Sequence, residues 1–366
     1  MIDSQDITSR VLDRCRGLDF VLAGVTDARP TQYEAELFDW LSAGKHGEME
    51  YLRRNVELRV DPRKMVEGAK SIICVADRYW SEKTESGDFT VAGGNPQPRG
   101  RIARYARGDD YHIVMKKRLH ILCNELGAMF SNEVFRDCVD TAPLLEREHA
   151  QRAGLGAVGK NTLLIERGVG SYLLLGEIIT TLALDLTAPS AADPCSTCTR
   201  CIDACPTQAI TPWSVDATRC ISYLTIEHRG LIDEKYHEAM GDWIFGCDIC
   251  QEVCPHNQPT ARSRERPPET HSAYAARRNG FDLLEVLNWD EEVRRETFIR
   301  SSMKRARLDM MKRNALIAAG NAIRGAENTA LYRRMEELRD DPSESQMVRE
   351  TARVVLRNLR RSTPVA

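Results

Sequence analysis

No stretch of this 366-residue chain approaches the roughly 18 uninterrupted apolar residues that a membrane span requires. The longest candidate, Tyr172 to Leu184, is broken by Glu177. The opening MIDSQDITSR is acidic and polar, unlike the basic start and apolar core of an export signal. Aromatic residues are scarce, at 6%, and the net charge is only −3, which excludes a chain built wholesale to bind polyanions. Cysteine, at 12 residues, is too sparse for a disulfide scaffold of this length. What remains is an ordinary globular composition, so the expectation is a cytoplasmic protein without a membrane partner. At about 150 residues per domain, it holds two or three folded units.

The small net charge conceals a split. From Arg294 onward there are 17 Lys and Arg against 9 Asp and Glu, a surplus of eight, which leaves −11 on the remainder. A basic section of this kind is either a solvated helix face or a nucleic-acid contact.

Cysteine is also unevenly spread. Cys15, Cys74, Cys123 and Cys138 are scattered in apolar or helical contexts and read as buried thiols. The other eight fall within sixty residues, as Cys195, Cys198, Cys201 and Cys205-Pro206, then Cys220, then Cys247, Cys250 and Cys254-Pro255. The first run has the C-x2-C-x2-C-x3-C-P spacing of bacterial ferredoxins, in which the fourth cysteine serves the other cluster. Four ligands per cube then follow. Cys195, Cys198, Cys201 and Cys254 hold one [4Fe–4S] cluster, and Cys205, Cys220, Cys247 and Cys250 hold the second. Paired zinc sites are the alternative, but these use separated C-x2-C pairs rather than a three-cysteine run.

Patterning divides the chain into three sections. Residues 1–187 alternate strand-like and helical runs, and an α/β domain is expected there. Strands are expected at Phe20–Val25, Ser71–Ala76, Phe130–Val139 and Ser171–Thr181, and helices at Glu34–Leu41 and Tyr111–Leu126. Ser81–Gly100 reads as a long loop. Residues 188–268 form a ferredoxin-like two-cluster domain that ends in a Pro/Arg-rich connector from Gln258 to Pro268. Residues 269–366 form an α-helical, HEAT-like domain, with one helix over Phe298–Ile323 and another starting at Asp341-Pro342. Gly154-Leu-Gly156-Ala-Val-Gly159 matches a dinucleotide fingerprint. It follows a helical stretch rather than a strand, however, and Asn161 stands where a phosphate loop needs Ser or Thr.

Beyond the cysteines, several segments resemble one family. They are Arg104-Tyr105 through Tyr111-His112, Cys138-Val-Asp140-Thr-Ala-Pro143, Gly159-Lys-Asn-Thr162, Gly170-Ser171, Cys220 to Thr225, Phe245 to Cys250, and Arg313-Asn314 to Gly320-Asn321. With the double cluster, these are similar to the epoxyqueuosine reductases, cobalamin-dependent enzymes that complete queuosine in tRNA. The resemblance implies removal of an epoxide oxygen, which takes two electrons and two protons and releases water. It implies Asp140 as the acid for the departing oxygen, with a pKa raised by burial beside a corrin; a helix N-cap is the ordinary alternative. Cobalamin contacts are implied at Arg63, Arg104, Asp140, Lys160, Ser171, Ser222 and Asp248. The implied partners are a tRNA with a modified wobble nucleotide and an external low-potential electron donor, with the protein a monomer. Arg229 is a candidate tRNA contact, as are Arg300, Lys304 and Arg307, spaced to share one helix face. Two other readings compete: a corrinoid reductive dehalogenase-like oxidoreductase and a non-catalytic ferredoxin-type electron carrier.

Overall fold

The computed structural model describes residues 4–80, 98–189, 193–258, 270–324 and 328–362. Most of the loop expected over Ser81–Gly100 and of the connector expected over Gln258–Pro268 therefore lies outside the described residues, and the end of that loop, Arg99 and Gly100, is strand instead. Among those described, no helix is long and apolar enough to cross a membrane.

The first section carries a four-stranded sheet in the order Leu22–Asp27, Ser71–Arg78, Leu173–Thr180, Phe135–Cys138. Every pairing is antiparallel, rather than the parallel arrangement usual where strands alternate with helices. Ser71–Arg78 is buried along its whole length, which is why it reads as the unbroken SIICVA run. Ile73 and Val75 join a core with Val11 and Cys15 and with Met115, Leu119, Leu122 and Leu126 of the helix Tyr111–Met129. On the opposite face Ile72, Cys74 and Ala76 pack with Ala150 and Ala153 at the helix Glu146–Arg152. That helix precedes the Gly154–Gly159 run, as the sequence indicates. The strand expected over Phe130–Val139 is shorter, because Phe130 ends the preceding helix and residues 131–134 turn before Phe135.

A second sheet draws one strand from each section. Arg99–Ile102 lies in the middle, parallel to Trp243–Phe245 and antiparallel to Gly280–Asp282. Below it lies the largest core, where Ile102, Trp243, Phe245, Phe281 and Phe298 meet Met311, Leu316 and Leu331.

Two helical expectations change in the last section. Phe298–Ile323 is not one helix. Arg300 takes a left-handed φ of 57°, the Ser301 side chain accepts the Met303 N–H, and Ser302–Arg305 is a single 3-10 turn. Serine favours such a cap over a helix interior, and the turn drives Met303 and Ala306 into the core. The helix proper is Leu308–Ala322, so Arg300, Lys304 and Arg307 do not share a helix face. Likewise Asp341 caps only a turn, accepting the Ser343 N–H at 2.8 Å. The helix Gln346–Ser362 begins later, with Ser345 Oγ accepting the Val348 N–H at 3.2 Å. Its inner face is apolar, with Val348, Ala352, Val355 and Leu356 buried.

Candidate active site

Asp140 stands two residues beyond the strand Phe135–Cys138, at a left-handed φ of 47°. It caps no helix, since Leu145 immediately precedes Glu146–Arg152. Instead its backbone N–H donates to Glu146 Oε1 at 2.7 Å. Its carboxylate accepts from His112 Nε2 at 2.9 Å. His112 Nδ1 is fixed in turn by Asp110 Oδ1 at 2.8 Å, and Asp110 also caps the helix that carries His112. The Tyr111 ring stacks on His112, with centroids 4.0 Å apart.

Charge decides where the proton sits. Burial alone would lower the His112 pKa, but its bonds to Asp110 and Asp140 raise it to about 9. Burial pushes Asp140 upward; His112, then Tyr111 and Arg305, outweigh it and hold the carboxyl below its ordinary value. The expected raised Asp140 pKa is therefore corrected. The pair's proton rests on the imidazole, because two carboxylates hold it there.

Around this pair lie residues not singled out from the sequence. Arg305 and Glu227 form an ion pair at 2.8 Å, and Tyr51, Tyr105 and Asp140 lie within electrostatic reach of Arg305. Tyr105 bridges two regions. Its ring centroid is 6.1 Å from Tyr111 and 6.2 Å from Phe245, two residues before Cys247. Tyr105, Tyr111 and His112 were visible as parts of one motif, although nothing in that motif distinguished their roles.

The eight clustered cysteines gather as two groups. Burial raises the Cys201 thiol pKa, and the neighbouring thiols of Cys195, Cys254 and Cys198 add to it. Cys254 is raised by burial and by Cys195 and Cys198. In the other group burial raises Cys247, with Cys220 and Cys205 contributing, and Cys250 is raised by burial, Cys247 and Cys220. Two sulfurs already accept backbone donors: Lys160 N–H to Cys195 Sγ and Ala209 N–H to Cys205 Sγ, each at 3.3 Å. Thiolate-rich sites with N–H···S bonds suit iron–sulfur cubes. Cys15, Cys74, Cys123 and Cys138 are buried in the first section.

The residues expected to meet a corrin divide. Four are engaged internally. Lys160 Nζ donates to the carbonyls of Ser196 at 2.6 Å and Cys198 at 3.1 Å, bracing the first cysteine loop. Ser171 donates through Oγ to Gln251 Oε1 at 3.0 Å. Asp248, 1% exposed, accepts the Arg104 N–H at 2.7 Å, while Arg104 also pairs with Glu252 at 2.7 Å. Arg63 is exposed and forks onto Asp61, and Ser222 is half-buried.

Of the expected nucleic-acid contacts, all four are exposed. Arg300 pairs with Asp109 and Arg307 with Asp309. Arg229 places Nη1 3.4 Å from Met310 Sδ.

Against known families, residues 194–257 match the 4Fe-4S double cluster binding domain, and residues 59–141 match the model described as Epoxyqueuosine reductase QueG, DUF1730. The curated epoxyqueuosine reductase of Leadbetterella byssophila is 38% identical over 314 residues, covering 85% of this chain and 97% of that protein. The chain belongs to the epoxyqueuosine reductase family. The Xanthomonas campestris epoxyqueuosine reductase is 39% identical, over 87% of this chain and 88% of its own. Among solved structures, the epoxyqueuosine reductase of Streptococcus thermophilus superposes with a TM-score of 0.84 at 27% identity, covering 99% of this chain and 92% of that one. As an epoxyqueuosine reductase the protein is an oxidoreductase, and its double-cluster domain holds two [4Fe–4S] clusters.

Proposed function

We propose that this protein reduces epoxyqueuosine to queuosine at the tRNA wobble position, with Asp140 delivering a proton from His112 to the departing oxygen. The observation that carries this reading is the meeting, across Tyr105, of the Asp110–His112–Asp140 chain with the Cys247 region. Proton supply and electron supply thus converge on one side of the molecule. A structure of similar fold was solved with an epoxyqueuosine-modified tRNA stem loop, at a TM-score of 0.84.

Cobalamin fits the same place. Two N–H donors there, Trp80 Nε1 and Arg59 Nε, are buried without a hydrogen-bond partner among the described residues. Trp80 lies under Arg104, at 5.1 Å, and Arg59 feels the charge of Asp140. A corrinoid's amide arms offer carbonyl acceptors for such donors. Arg63 and Ser222 would meet its periphery, and Arg104, Lys160, Ser171 and Asp248 would act from behind by fixing the walls. Bound cobalamin supplies a reduced cobalt that is both nucleophile and reductant. The chain's own part is acid–base: His112 holds the proton, Asp140 aims it, and the Asp110 carboxylate favours reprotonation of the imidazole from solvent.

Electrons enter through the two cysteine quartets: Cys195, Cys198, Cys201 and Cys254, and Cys205, Cys220, Cys247 and Cys250. We read 1–187, 188–268 and 269–366 as cobalamin-binding, cluster and HEAT-like sections. The helices Leu308–Ala322, Thr329–Asp340 and Gln346–Ser362 back the tRNA-facing residues Arg229, Arg300, Lys304 and Arg307. The test is anaerobic cluster reconstitution with and without cobalamin, followed by visible spectra and, with dithionite supplying the two electrons, mass spectrometry of an epoxyqueuosine stem loop. Loss of one oxygen only when cobalamin is present is expected. Asp140→Ala should keep clusters and cobalamin yet lose ~10²–10⁴-fold in turnover. Full turnover in that variant would refute the acid role.

A further inference from the structure

We propose that Glu146 is a positioning residue, a latch that holds the Asp140 loop inward by accepting the Asp140 backbone N–H. The inference rests on the reading of Asp140 as the acid, and adds to it the residue that fixes its main chain.

The loop, residues 139–145, joins the edge strand Phe135–Cys138 to the helix Glu146–Arg152. Asp140 is held there at φ 47°, a left-handed conformation uncommon for any residue but glycine. Its side chain is 44% exposed, so packing does little to impose that conformation. Hydrogen bonds do so instead, with Tyr111 also bonded to the carboxylate. His112 grips the carboxylate at 2.9 Å, and Glu146 Oε1 grips the N–H at 2.7 Å. The first can follow the side chain through rotamer changes. The second fixes the backbone, and therefore the direction in which the carboxylate points.

Glu146 is itself well anchored. One turn on, His149 is fully buried, with Nδ1 3.1 Å from Glu177 Oε1, and Ala150 packs into the sheet. Burial, with Glu177 and Asp140 nearby, pushes the Glu146 carboxyl well above its usual value. Glutamine reproduces both its shape and its acceptor oxygen.

The test compares Glu146→Ala and Glu146→Gln in the reconstituted holoprotein, by hydrogen-exchange mass spectrometry and by steady-state kinetics. Glu146→Ala should speed amide exchange across 139–145 at least ~10-fold, the order of one lost hydrogen bond. It should lower kcat by a similar factor with KM unchanged, leaving exchange at the cysteine loops as it was. Glu146→Gln should restore both. Native exchange in Glu146→Ala would overturn the latch, and so would a Glu146→Gln as defective as the alanine variant. The exchange readout does not depend on chemistry at Asp140. Failure of the acid reading, seen as full turnover in Asp140→Ala, is therefore distinguishable from failure of the latch.

Discussion

His112 Nε2 and Asp140 Oδ2 lie 2.9 Å apart, although 28 residues separate them in the chain. With Asp110 on its other nitrogen, His112 titrates at about 9 rather than 6.5. The stabilisation this imidazolium gives the fold is complete below about 6.5 and is lost as pH rises through about 9. On the acid side Asp140, held below its ordinary value, keeps its share until pH falls through that lowered value. Turnover should therefore decline on a basic limb near pH 9, and nitrogen-resolved NMR should find the doubly protonated ring at neutral pH. His112→Asn should abolish that limb and cost ~10²-fold in kcat. An unaltered limb in the variant would assign it to another group.

Cys220 lies within electrostatic reach of Cys205, Cys247 and Cys250, the thiols with which we propose it shares a cluster. Cys220→Ala should lose one cube and spare the other, so that iron and sulfide analysis finds half the native content. Two intact cubes in that variant would mean a different ligand set.

Arg313 is fully buried, with burial lowering its pKa to about 10. Its guanidinium donates to the carbonyls of Leu224 at 2.7 Å, His228 at 2.8 Å and Gly230 at 2.6 Å. Arg313→Ala orphans all three and should cost ~3 kcal/mol or more, a clear drop in Tm. A change within ~0.5 kcal/mol would deny these bonds a structural role.

Basic residues near the site should answer to salt. Alanine at Arg300, Lys304 and Arg307 together should weaken tRNA binding and flatten its salt dependence, with ~0.7–0.9 lost from the slope per phosphate contact. Lys304 should dominate among single changes, because Asp109 and Asp309 already neutralise Arg300 and Arg307. An equal slope in the triple variant, by filter binding across a salt series, would move the tRNA to the Arg229 side.

The sequence revealed most where chemistry is local. Cysteine spacing is dictated by the cube itself, so a domain holding two clusters was legible before any fold. Ser71–Arg78 was legible because a strand covered on both faces must be apolar throughout. Other features depended on tertiary context. Nothing in the sequence around Asp140 announces that His112 will hold its proton, because that bond joins a helix start to a strand end. The break at Arg300 is hidden among good helix formers, and only Ser301 hints at it. Lys160 and Asp248 fit a family motif, yet their side chains serve a cysteine loop and an inter-section ion pair.

The central place of Arg99–Ile102 in the second sheet bears on how the chain is made. Gly280–Asp282 pairs with it in register, Gly280 opposite Arg101. During synthesis the middle strand gains a partner on one edge only when Trp243–Phe245 emerges, and its other edge stays unpaired until residue 280 follows. Closing that sheet is a late step that draws all three sections together at once. A nascent chain cut short before Gly280 leaves bare the edge of Arg99–Ile102 that Gly280–Asp282 covers in the finished protein.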